Sequence, residues 1–98
     1  KAVIMPCLIE LGRASASVHK NIGEKIDKDC QLGIITTKEF FEQVKGDSNK
    51  IFSLSDPDEI LRKIESTLSK GDSILIEGRI NKEIASKIYE ANLNIIKP

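Results

Sequence analysis

Four short apolar runs, each followed by a segment with apolar residues at helical spacing, predict an α/β domain. The runs are unbroken rather than alternating, so each reads as a strand covered on both faces, as strands of a parallel sheet are. Strand and helix follow one another from the first run to the last, and right-handed crossovers then make a parallel sheet the economical arrangement. The expected fold is a Rossmann-like domain of three layers, with a mainly parallel sheet of four to six strands. Residues 1–98 read as a single domain. Strand order does not follow from this pattern.

The first run, Ala2 to Cys7, is continuously apolar and predicts a strand. From Ala14 to about Asp29, Val18, Ile22 and Ile26 recur every four residues among charges, which predicts an amphipathic helix with Ser15 or Ser17 as its cap. Leu32 to Thr36 is the second strand. Thr36 stands three residues before Glu39, the spacing of a capping box, so a helix of about two turns carrying Phe40, Phe41 and Val44 is expected to start there and stop at Gly46. Ile51 to Leu54 reads as a third strand after the turn Gly46-Asp47-Ser48-Asn49.

Asp56-Pro57-Asp58-Glu59 carries a cap aspartate, a proline at the first helical position and a glutamate at the third. Ile60, Leu61, Ile64 and Leu68 are then expected to face inward, with Gly71 ending the helix. Ser73 to Ile76 is the fourth strand, broken by Gly78-Arg79. Asn81 caps a last helix bearing Ile84, Ala85, Ile88 and Tyr89, which Asn92 closes, and Leu93 to Ile96 adds a final short strand.

Lysine plus arginine (15) balances aspartate plus glutamate (15), so no basic field is available to hold nucleic acid. Aromatic residues at 4%, with no tryptophan, leave no stacking platform for bases. Cys7 and Cys30 lie in or beside apolar runs without metal-ligand spacing, and two cysteines do not make a disulfide scaffold, so both are expected to be buried thiols in a cytoplasmic protein. No apolar run approaches the ~18–20 residues of a membrane span, and no signal peptide opens the chain. Lys1 stands directly before a strand with no initiating methionine, an abrupt start expected of a piece of a longer protein.

In an open α/β sheet, ligands bind in the crevice beyond the carboxyl ends of the strands, so the strand-end turns are where function is sought. The first turn, Leu8-Ile9-Glu10-Leu11-Gly12, offers a single glycine, so neither a dinucleotide fingerprint nor a Gly-Lys-Ser/Thr phosphate loop is present. Glu10 can accept hydrogen bonds from an amine or hydroxyl, or orient Arg13, its nearest candidate partner; the alternative is a solvated loop carboxylate. His19, the only histidine, is either a packed helix residue or one reaching toward Glu10 or a ligand. With no second histidine, no metal site is expected. Glu77-Gly78-Arg79 ends the fourth strand: arginine suits bidentate carboxylate or phosphate recognition, and glycine admits a close ligand or backbone. The alternative there is a plain turn with a surface arginine. Cys7 as a hydrolase nucleophile lacks a base and an orienting group brought to it by sequence.

Two separated segments together resemble the C-terminal domain of the Mur ligase family. The first is Ile9-Glu10-Leu11-Gly12 followed by His19-Lys20-Asn21-Ile22-Gly23, similar to the family's hydrophobic–Glu-Leu-Gly turn and its His-x-x-hydrophobic-Gly helix. The second is Gly71-Asp72-Ser73-Ile74-Leu75-Ile76-Glu77-Gly78-Arg79, similar to the family's Gly-Asp-x-hydrophobic-Leu-hydrophobic-Lys-Gly-Ser/His segment. The resemblance spans nearly the whole chain in order, and within the family it is to the type that adds D-alanyl-D-alanine. Glu77 stands where the family has lysine, and Arg79 where it has serine or histidine. The family's preceding strand and helix, with their Asn-Pro turn, have no counterpart.

The resemblance implies an ATP-dependent amide-bond ligase of peptidoglycan synthesis, in which a carboxylate is activated as an acyl phosphate and attacked by an amine. ATP and Mg2+ then belong to the full-length enzyme and are held mainly by the central ATP-binding domain of the same parent chain. This domain would close over the nucleotide and present an amino acid or dipeptide. It would have no catalytic residue of its own and be inactive alone. On that reading Glu77, Gly78 and Arg79 contact the amino substrate, while Glu10, Gly12, Arg13 and His19 face the nucleotide or shape the turn. The alternative from another class is a non-catalytic Rossmann-like module that binds a small ligand or partner protein.

Overall fold

The computed structural model describes residues 1–7, 15–91, 93, 95 and 96. They form five strands and four helices in strict alternation: β1 (Ala2–Met5), α1 (Ser15–Asp29), β2 (Leu32–Ile35), α2 (Phe41–Lys45), β3 (Ile51–Ser53), α3 (Pro57–Thr67), β4 (Ile74–Ile76), α4 (Lys82–Glu90) and β5 (Ile95–Ile96). The sheet is parallel throughout, in the order β3-β2-β1-β4-β5. This is the predicted small Rossmann-like α/β fold.

The strand order follows from where each helix packs. The chain leaves β1 through α1 and α2 toward one edge, then returns through α3 to place β4 on the other side of β1. Successive strand side chains point to opposite faces. Ala2 and Ile4 of β1 therefore join Leu32 and Ile34 against Ile60, Ile64, Ile84 and Ile88 of α3 and α4. Val3 and Met5 join Ile35 and Ile51 against Ile26 of α1 and Val44 of α2. All four β1 residues are buried, which explains why that run has no polar position. An isoleucine buried as fully as Ile4 contributes about 1.5–3 kcal/mol.

The helix starts at Asp56 and Asn81 form as their sequences predict. The Asp56 carboxylate accepts from the Glu59 N–H at 3.0 Å, with Pro57 in the first turn, and Asn81 Oδ1 accepts from the Glu83 N–H at 2.7 Å. Elsewhere local signals yield to tertiary contacts. The Thr36–Glu39 capping box does not form: Thr36 N–H donates to Met5 O and extends the β1–β2 ladder instead. Helix α2 consequently begins only at Phe41, spans 5 residues, and is preceded by Phe40 in a left-handed conformation with φ 61°. Helix α3 stops at Thr67, capped by the Leu68 N–H on Ile64 O, and Gly71 serves the following turn at φ 94°. Leu61 is half-buried, while Tyr89 is exposed, at the margin of the α4 stripe rather than within it. Ser15 and Ser17 lie inside α1; the residue before the helix and Asn92 are outside the described residues.

The buried seam of α1 is turned from the expected Val18–Ile22–Ile26 line. His19, Gly23, Ile26 and the following Cys30 are buried, whereas Val18 and Ile22 are half-buried. The helix must satisfy α2 as well as the sheet, so its covered face is wider than one stripe. Gly23 is the contact point: a Cβ built there would lie 1.7 Å from the Val44 carbonyl oxygen, on the backbone of α2.

Two outcomes test this packing. Gly23→Ala gains helix propensity yet is expected to lose about 2 kcal/mol or more of unfolding free energy in urea, because backbone must move to admit the methyl; unchanged stability would refute the close approach. Lys87 Nζ lies 2.8 Å from Asp58 Oδ1 and ties α4 to the first turn of α3. Its hydrogen bond and charge hold the Asp58 carboxyl below the usual aspartate range. Stability from this pair is present above the unfolded aspartate pKa and is lost as pH falls through the lower folded value. In an NMR titration Lys87→Met should return Asp58 toward the ordinary range, and an unmoved midpoint would exclude the pairing.

Candidate functional site

Where the strand order reverses, an open parallel sheet leaves a crevice beyond the strand carboxyl ends. Here the reversal falls between β1 and β4. Ile4 and Ile76 are register partners, and the Glu77 N–H donates to Ile4 O at 3.0 Å, so the two strand tails leave the sheet side by side. One is Pro6-Cys7 and the other is Glu77-Gly78-Arg79.

Gly78 joins the tails. It adopts φ 71°, and a Cβ there would sit 3.2 Å from Pro6 Cδ and 3.3 Å from Pro6 Cγ. Both the left-handed backbone and the proline ring beneath it favour glycine. Its neighbours Glu77 and Arg79 are exposed, and neither pairs with an opposite charge among the described residues. Glu77 stands at the rim of an open groove of about 380 Å³ on the α1 side of the sheet, floored by Val3, Met5 and Leu75 and flanked by Ile22 and Lys25. A carboxylate and a guanidinium thus flank one glycine at the switch point, chemistry that suits an ammonium and a carboxylate respectively.

Glu10, Gly12 and Arg13 lie outside the described residues. His19 is described and is fully buried, its ring stacked on Phe40 at 4.7 Å between centroids and 5° between planes. It packs the α1–α2 seam and has no exposed surface. Its four-residue spacing to Gly23 puts both on the side of α1 that meets the Phe40–Val44 region.

The loop from β2 to α2 contributes residues to this rim that sequence reasoning did not single out. The Cys7 N–H donates to Thr37 Oγ1 at 2.9 Å, so Thr37 holds the β1 tail just beyond Pro6. Nothing in the sequence distinguishes Thr37 from Thr36, since only the folded ladder decides which hydroxyl reaches Cys7.

Cys7 and Cys30 are both free and buried. Burial raises the Cys7 thiol above its usual range, against the opposing Thr37 hydrogen bond, and Glu39 adds to the rise. Burial likewise raises Cys30, with the Lys1 charge opposing it. Thiols kept neutral are poor nucleophiles. Among the described residues no group of three His, Cys, Asp or Glu side chains is placed to hold a metal ion. No helix among them is long and apolar enough to cross a membrane.

No family model matches the chain, and no curated protein or solved structure matches it.

Gly78→Ala forces a side chain into the left-handed region and against Pro6, at a cost of about 1–2 kcal/mol. Gly71→Ala shares the positive φ but meets open space, with nothing within 4 Å of its Cβ. The Gly78 variant should therefore lose more stability, and it alone should shift the Cys7 amide resonance. Equal losses with no shift at Cys7 would mean that Pro6 does not constrain the turn.

Proposed function

We propose that this chain is the C-terminal, substrate-closing domain of an ATP-dependent amide-bond ligase of the Mur type, acting on an amino acid or dipeptide in the cytoplasm. One observation carries the reading: of the two segments that resemble the family, one follows and the other contains a strand flanking the switch point. The first segment follows β1 and the second contains β4, and their tails meet at Pro6 and Gly78. In the second segment the charged pair Glu77 and Arg79 therefore stands beside the tail of β1.

The exposed chemistry suits an amino substrate. Arg79 presents a planar guanidinium for a carboxylate, and Glu77 a carboxylate for an ammonium or amine. Their role is to bind and orient the incoming amine, which converts part of the barrier into prior binding. ATP, bound with Mg2+ chiefly by the preceding domain of the parent chain, supplies the phosphoryl group that activates the acceptor carboxylate. A domain that brings the amino substrate and shuts out water at the moment of reaction is a lid in the kinetic sense.

The parent protein, given ATP, a UDP-linked muramoyl peptide and candidate amino substrates, should release inorganic phosphate only when both partners are present. Arg79→Ala should raise KM for the amino substrate by about tenfold or more, as expected when a charge-assisted hydrogen bond is removed, with a smaller change in kcat. The 98-residue chain alone should hydrolyse no ATP and bind it at best in the millimolar range. An unchanged KM removes Arg79 from the site. Tight ATP binding by the chain alone favours a free-standing ligand-binding module instead.

A further inference from the structure

The loop between β2 and α2 touches both elements that bracket the first turn. Thr37 Oγ1 accepts the Cys7 N–H at the tail of β1, and the Phe40 ring stacks on His19 of α1. The loop is itself fixed at its root, where Thr36 N–H donates to Met5 O and Leu54 N–H donates to Ile35 O. Ser53 Oγ also lies 3.4 Å from Thr37 O. Phe40 occupies the left-handed region at φ 61°, an unfavourable place for a bulky residue that persists only where the surroundings impose it.

A continuous line of contacts then runs to the candidate site. Thr37 holds Cys7, Cys7 follows Pro6, and Pro6 lies against Gly78 between Glu77 and Arg79. We propose that Thr37 is a positioning residue for the Glu77-Gly78-Arg79 turn, acting through Cys7 and Pro6, with Phe40 bracing the same loop against α1. Its link to turnover rests on the ligase reading; its link to the β1 tail does not.

The two buried cysteines separate local release from general loosening. Cys7 is at the braced tail, whereas Cys30 follows α1, where its N–H donates to Ile26 O, away from Thr37. Thr37→Val keeps the shape and removes the acceptor. In the native 98-residue chain, hydrogen exchange of the Cys7 amide should then quicken by about tenfold, the scale of one lost hydrogen bond, with the Cys30 amide unchanged. Thr37→Ser, which keeps the hydroxyl, should stay at the parent rate. Phe40→Leu should speed amide exchange over residues 17–20 while residues 57–67 of α3 keep theirs.

In the parent enzyme, Thr37→Val should raise KM for the amino substrate more than it lowers kcat, and Thr37→Ser should restore it. Cys7 and Cys30 amides that exchange faster together, or neither faster, would overturn the brace. A faster Cys7 amide with an unmoved KM would overturn its connection to the site. A parent protein with no ligase activity in any variant would defeat the ligase reading alone, leaving the exchange results to decide the brace.

Discussion

The backbone of β1 is hydrogen-bonded on both sides, to β2 and to β4, and its four side chains are buried on both faces. A strand so enclosed has no polar side chain to offer, and it meets open space only where Val3 and Met5 floor the α1-side groove and at its carboxyl tail. Placing that strand where the chain reverses direction across the sheet makes its tail the floor of the crevice. Glu77, Gly78 and Arg79 stand beside that tail because the parallel register Ile4–Ile76 delivers them there.

Glycine has two different uses in this arrangement. Gly23 removes a side chain so that α1 can rest on the backbone of α2 at Val44, and Gly33 similarly leaves room for Ile26 of α1 over the sheet. Gly78 combines a left-handed turn with a close approach to Pro6 at the rim. The first use sets the distance of a helix layer, and the second sets the direction in which two charged side chains leave a strand. His19 belongs with the first. The His-x-x-hydrophobic-Gly spacing, met as part of a family resemblance, has a packing explanation in the α1–α2 contact.

The polar chemistry is confined to the surface, and the interior is almost wholly aliphatic. His19 is the single buried polar side chain among the described residues. The thiols of Cys7 and Cys30 are kept neutral by burial and behave as small core residues. At the rim the exposed charges of Glu77 and Arg79, rather than the buried thiols, carry the proposed function.

Unbroken apolar runs, amphipathic spacing and strong caps at Asp56 and Asn81 were enough to determine the fold class, the strand–helix alternation and most of the core. These features act over a few residues and report on local burial and local hydrogen bonds. The turn Glu77-Gly78-Arg79 was legible for the same reason, as a polar break at the end of an apolar strand. Strand order, the rotation of α1 toward His19 and Gly23, the late start of α2 and the part played by Thr37 were decided only in the tertiary structure. Each depends on a partner far along the chain: Thr36 gives its amide to Met5, Thr37 its hydroxyl to Cys7, and Gly23 its missing side chain to Val44. A local pattern cannot report a contact whose other half is supplied by a different strand or helix.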